Sequence, residues 1–92
     1  MTALSPAEAA LQLASLPAWK IDAGELVRTF AFADFKAAMR FVDKLAEAAE
    51  EAGHHPDIDI RYNRVRLALM THDAGGLTAK DFALAAAADK LA

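Results

Sequence analysis

His54-His55-Pro56-Asp57-Ile58-Asp59-Ile60-Arg61-Tyr62-Asn63-Arg64-Val65-Arg66-Leu67-Ala68-Leu69-Met70-Thr71-His72 holds the clearest structural signal of the chain and all three of its histidines. Ile58, Ile60 and Tyr62 alternate with Asp57, Asp59, Arg61 and Asn63. Val65, Leu67, Leu69 and Thr71 alternate with Arg66, Ala68, Met70 and His72. Strict alternation marks a half-buried strand. Asn63-Arg64 suits a two-residue hairpin loop, because asparagine tolerates positive φ. That loop pairs Tyr62 with Val65, Ile60 with Leu67, Ile58 with Leu69 and His55 with His72, leaving His54 one residue beyond. Opposed residues of an antiparallel pair have Cβ atoms roughly 4.5–5.5 Å apart. The hairpin therefore predicts three imidazoles at one pocket.

Outward from this hairpin, the preceding segment reads as a long helix. Asp34 caps it, and Phe35, Ala38, Met39, Val42, Leu45, Ala46 and Ala49 recur at spacings of three and four as one apolar stripe. Gly53 terminates it. Earlier still, Ser5-Pro6-Ala7-Glu8 forms a helix start with proline in the first turn, and that helix runs to about Ala14. Trp19 to Asp22 and Glu25 to Phe32 flank an Ala23-Gly24 turn and predict a first hairpin. Beyond Gly75-Gly76, Thr78-Ala79-Lys80-Asp81 is a second capping box, opening a final alanine-rich helix. The expected fold is α+β: a four-stranded antiparallel sheet with three helices packed on one face, in the order α-β-β-α-β-β-α. Residues 1–92 are expected to form one domain, with the central helix across the sheet.

Composition narrows the function. The chain is 55% hydrophobic and 25% charged, which is globular rather than disordered. Twenty-four of its residues are alanine, which buries little area, so self-association as a homodimer or homotetramer is expected to supplement the core. A net charge of −3 gives no basic surface for phosphates, and no nucleic-acid partner is expected. No cysteine is present, which removes disulfides, thiol nucleophiles and cysteine-ligated zinc. Neither a signal peptide nor an apolar span is evident, so a soluble cytoplasmic protein without membrane contact is expected.

Imidazole is the side chain best suited to move protons near neutral pH. Pro56 holds His55 extended. Glu50 and Glu51 end the central helix just before the histidines, and Asp81 can return a carboxylate to them. Each residue also has a plainer reading: Asp81 as the partner of Thr78 in the capping box, Glu50 as a solvated helix residue, Trp19 as core, Tyr62 as sheet packing. Three histidines could ligate zinc with an open fourth position. Adjacent histidines on an extended segment point apart, however, and no HExxH-type pair accompanies them, so no metal is expected. No serine elbow or phosphate-cradling glycine loop is present. General acid–base catalysis remains, with a typical contribution of about 10²–10⁴-fold.

Glu50, three residues, His54-His55-Pro56, five residues, Tyr62, nine residues, His72, eight residues and Asp81 together make a pattern similar to that of the pterin-4a-carbinolamine dehydratases. The similarity extends through Trp19, Phe30-x-Phe32-x-Asp34-Phe35 and Thr71 to Thr78. It implies a hydro-lyase that converts 4a-hydroxytetrahydropterin to quinonoid dihydropterin and water. Such an enzyme recycles the pterin of aromatic amino acid hydroxylases, which implies a functional link to phenylalanine hydroxylase. The pterin is then substrate, and no cofactor is implied. His54 and His72 would be the principal acid–base groups, with His55 assisting. His54, His55, Pro56, Thr71, His72, Asp73 and Ala74 would line the pterin site. Glu50 and Asp81 would bias the imidazoles, and Trp19 would flank the pocket. Two positions depart from some animal relatives: Ile58 replaces tryptophan, which alters how the pterin is stacked or shielded, and Lys80 replaces arginine, which keeps the charge but loses bidentate geometry; neither is expected to touch the histidines. Animal members also act as dimerisation cofactors of a homeodomain transcription factor through a helical surface. A helix-mediated interaction module with a secondary pterin pocket is therefore the alternative function.

Overall fold

Ser5 opens the first helix, α1 (Pro6–Leu13), in the computed structural model, which describes residues 2–92. The Ser5 hydroxyl accepts from the Glu8 amide, and the Glu8 carboxylate accepts in return from the Ser5 amide. That backbone hydrogen bond holds the Glu8 carboxyl below its ordinary value. Strands β1 (Lys20–Asp22) and β2 (Glu25–Ala31) follow, joined through Ala23 and Gly24, both at positive φ. Helix α2 (Phe35–Ala52) starts on the Asp34 carboxylate, which accepts from the Ala37 amide at 2.8 Å. Strands β3 (Asp57–Arg61) and β4 (Arg64–Leu69) form the second hairpin, and α3 (Ala79–Leu91) closes the order. The class and element order match the expectation.

The sheet is antiparallel with strand order β1-β2-β4-β3, so the two hairpins meet at β2 and β4. Alternation assigns the faces. Leu26, Phe30, Val65, Leu67 and Leu69 share one core with Ala38, Phe41 and Leu45 of α2 and with Leu84, Ala85 and Ala88 of α3. Val27 and Ala68 face the other side, among Lys20, Thr29, Arg66 and Asp57. Among the described residues, no helix is long and apolar enough to cross a membrane.

The hairpin register differs from the expected one by a two-residue shift of the paired position. Ile60 pairs with Val65 and Ile58 with Leu67, because Tyr62-Asn63, not Asn63-Arg64, forms the loop. The cause is a tie to the first hairpin. Asn63 accepts the Phe32 amide at 2.9 Å and donates its side-chain N–H to the Phe32 carbonyl at 2.8 Å. Tyr62 is left at a φ of 52° and 68% exposed, off the sheet it was expected to pack on. A shift of two preserves the face of every side chain.

The buried stripe of α2 is also rotated from the expected one. Ala38, Phe41, Leu45 and Ala49 are buried, whereas Phe35 and Ala46 are exposed. Phe41 lies 4.7 Å from Phe30 and 5.0 Å from Phe32, centroid to centroid, and this aromatic cluster sets the rotation. Phe41→Ala is accordingly expected to cost about 3–5 kcal/mol in chemical denaturation. The half-exposed Phe35 is expected to tolerate the same change within about 1 kcal/mol. Equal losses at the two positions would refute this placement of the core.

Candidate active site

Two chain turns deliver the histidines. At the end of α2, Gly53 takes the left-handed conformation (φ 60°), the Gly53 amide donates to Glu50 and the His54 amide donates to Ala49. This is the Schellman arrangement, and it turns the chain so that His54 and His55 leave the helix in a fixed direction. Across the sheet end, His72 does not continue β4 as expected. It begins a 3₁₀ turn, His72–Ala74, ended by Gly75 at φ 71°. Thr71 and Gly76 close this turn with hydrogen bonds in both directions, at 2.9 and 3.4 Å. The tight Gly75-Gly76 segment is what draws residue 72 out of the ladder.

Despite the register shift, the three imidazoles share a cavity. Gly53, His54, His55, Met70, Thr71, His72, Asp73 and Lys80 line a volume of about 250 Å³. That lies just below the usual range of ligand pockets. A larger groove of about 380 Å³, between α2 and α3, is lined mainly by Ala48, Ala52, Ala83, Leu84 and Ala87 and holds no histidine.

Behind the cavity lies a buried carboxylate. Asp81 is fully buried, and its Oδ1 stands 2.6 Å from Nε2 of His54, itself only 11% exposed. The Asp81 Oδ2 accepts from the Thr71 hydroxyl and from the Thr78 amide, each at 2.9 Å. Both readings of Asp81 thus hold together: one oxygen completes the capping box and the other takes the histidine. Because Asp81 has no exposure, it reaches the cavity only through His54. An ionised carboxylate only accepts hydrogen bonds, so Nε2 of His54 carries the proton and Nδ1 is the atom left for chemistry.

His55 is placed differently. Its Nε2 stands 2.5 Å from the Glu50 carboxylate, with both side chains more than three-fifths exposed. An ion pair this open to water contributes about 0–1 kcal/mol. The imidazole of His72 has no hydrogen-bond partner among the described residues, and its residue is exposed. Three imidazoles and one buried carboxylate make a site for giving and taking protons. Among the described residues, no group of three or more His, Cys, Asp or Glu is placed to hold a metal.

Thr71 and Asp73 line the cavity, whereas Pro56 and Ala74, both half-buried, stand outside its lining. Trp19 does not flank it. Trp19 is 4% exposed, packs its edge on Phe30, and donates its indole N–H to Asp89 near the far end of α3. Eight residues of helix, about 12 Å, separate Asp89 from Asp81, so the core reading of Trp19 is the right one. Lys80 lines the cavity, where its change from arginine bears on the substrate's hold, and so does Met70. Lys80 directly precedes Asp81 in the first turn of α3, and that adjacency was the available signal. Ile58 sits on the edge strand outside the cavity, 38% exposed.

The sheet backed by three helices, with a histidine cavity braced by a buried aspartate, defines a small α+β protein whose site has the groups that acid–base chemistry would need. The chain matches the model of the pterin 4 alpha carbinolamine dehydratase family over residues 2–91, and it belongs to that family. It is 66% identical over 99% of its length to a predicted pterin-4-alpha-carbinolamine dehydratase of Chloroflexus aurantiacus, covering 98% of that protein. A counterpart in Acidobacterium capsulatum is 64% identical, with 99% of each chain covered. Among solved structures, a transcriptional coactivator/pterin dehydratase from Brucella melitensis superimposes with a TM-score of 0.95 at 32% identity, over 99% of both chains. A pterin dehydratase-like RuBisCO assembly factor of the alpha-carboxysome is similar at a TM-score of 0.65 and 30% identity, over 79% of this chain and 84% of that one.

Proposed function

We propose that this protein dehydrates 4a-hydroxytetrahydropterin to quinonoid dihydropterin by histidine acid–base catalysis. The observation that carries the reading is the convergence of His54, His55 and His72 on one cavity, with the Nε2 of His54 held by Asp81. Membership of the dehydratase family supports the substrate class.

The chemistry asks little of the protein. A base takes the proton from N5, the N5 electron pair forms the N5=C4a double bond, and the C4a–O bond breaks. An imidazolium protonates the departing hydroxyl, which leaves as water, so protons balance over the cycle. His54 and His72 are the two groups for these transfers. Asp81 stabilises the imidazolium form of His54 when it arises, as a buried carboxylate does behind a catalytic histidine. His55 and Asp73 border the substrate, and Lys80 brings a cationic side chain to the cavity. In the cell the product would return to a pterin-dependent aromatic amino acid hydroxylase, and the working form would be a homo-oligomer.

Stopped-flow mixing with freshly generated 4a-hydroxytetrahydropterin tests the reading. Quinonoid product is expected to form faster than in buffer by about 10²-fold or more, undiminished by exhaustive chelation. Identical progress curves with and without protein would overturn it. A second reading, an interaction module, draws on the apolar groove between α2 and α3 and on the coactivator and assembly-factor names of the two solved relatives. It predicts a protein that leaves the pterin untouched.

A further inference from the structure

We propose that Thr71 is a positioning residue that sets the His54 imidazole through a buried hydrogen-bond chain and the His72 turn through its backbone, an inference that rests on the dehydratase reading for its catalytic consequence. Thr71 is 6% exposed and lies at the junction of three elements. Its backbone clamps Gly76 in both directions and so closes the turn that begins with His72. Its hydroxyl bonds Asp81, which holds His54. One residue therefore touches the support of both principal histidines.

The proton directions along this chain are forced. The Lys80 amide donates to the Thr78 hydroxyl oxygen at 3.3 Å, at the start of α3. The Thr71 and Thr78 hydroxyls stand 2.8 Å apart, and each has one proton to give. Asp81 can only accept, so the Thr71 proton goes to its Oδ2, and the Thr78 proton must then go to Thr71. The chain runs from helix amide to Thr78, to Thr71 and to Asp81, where it meets the Nε2–H of His54 coming from the cavity side. No buried side-chain polar atom is left without a partner among the described residues, so the network has no slack. Networks of this kind polarise cooperatively and fix a single arrangement. Without the Thr71 hydroxyl, the carboxylate could rotate and the His72 turn would lose its link to α3.

Thr71→Val keeps the shape and deletes the hydroxyl, and Thr71→Ser restores it. Thr71→Val is expected to lower kcat by about ten- to a hundredfold, the scale of a misplacement near 1 Å, with KM changed by less than about threefold. Thr71→Ser is expected to recover most of that loss. Long-range ¹H–¹⁵N spectra of the imidazoles, recorded without pterin, are expected to show a single Nε2–H tautomer of His54 in the wild type. In Thr71→Val they are expected to show mixed tautomers and a changed His72 signal. In the wild type alone, the Thr71 hydroxyl proton is expected to be visible and slow to exchange, a measurement that needs no variant to fold. Absence of that proton, or unaltered His54 and His72 signals in a folded Thr71→Val protein, would overturn the coupling. A wild type inert towards the pterin but showing these signals would overturn the dehydratase reading and leave the coupling supported.

Discussion

The His54→Ala variant is expected to lose about 10²- to 10⁴-fold in kcat/KM for carbinolamine dehydration, and His72→Ala a loss of the same order. The two differ in what else they disturb. The ring of His54 is 11% exposed and donates to a fully buried carboxylate, so its removal leaves Asp81 Oδ1 short of a donor. That is expected to cost about 1–3 kcal/mol of stability, unless water enters the vacated space and restores the bond. His72 is exposed and its ring has no hydrogen-bond partner among the described residues, so His72→Ala is expected to stay within about 0.5 kcal/mol of wild type. Steady-state kinetics and urea titrations on both variants separate the effects. Wild-type turnover in either one would remove that histidine from the proposed chemistry.

Asp81→Asn is the second large effect, on activity and stability together. The carboxylate meets three donors: His54 Nε2–H, the Thr71 hydroxyl and the Thr78 amide. An amide of the same shape has one accepting oxygen, and its NH₂ must point at a former donor. If the NH₂ faces His54, the ring must switch tautomer, placing a proton on Nδ1, the atom left for accepting one. In the serine-protease triad the comparable exchange lowers kcat by about 10⁴-fold, and a loss approaching that is expected here. If the NH₂ faces Thr71 and Thr78 instead, the capping box is broken. In that second arrangement a buried donor is left facing a donor, at a cost of about 1–3 kcal/mol. An Asp81→Asn protein with undiminished kcat would show that the carboxylate serves the helix alone.

The elements most legible in the sequence were those governed by local chemistry. Ser5 with Glu8, Asp34, Gly53 and Thr78 with Asp81 each mark a helix end through bonds spanning a few residues, and the structure places each of these ends where it was expected. What escaped was decided by contacts distant in sequence. Asn63 chose the hairpin register by bonding Phe32, thirty-one residues away, and alternation cannot distinguish registers two residues apart. Phe41 displaced Phe35 from the core because Phe30 and Phe32 lie opposite it, a pairing that helical spacing does not contain. Trp19 was read as a pocket residue by resemblance, but its indole is claimed by Asp89, seventy residues on. The meeting of the histidines survived the wrong register because Gly53 and the Gly75-Gly76 turn, both visible in the sequence, aim the chain at the same sheet end.

The double employment of Asp81 bears on how relatives of this chain should be judged. A descendant that abandoned dehydration would still need the aspartate to start its last helix, so persistence of that residue says little about retained activity. His72 carries no comparable obligation: its exposed ring bonds none of the described residues, and drift could erase it freely once turnover ceased to matter. In a lineage recruited to scaffolding or assembly, the histidine is therefore expected to vanish first, with the aspartate outlasting it as a relic of the enzyme.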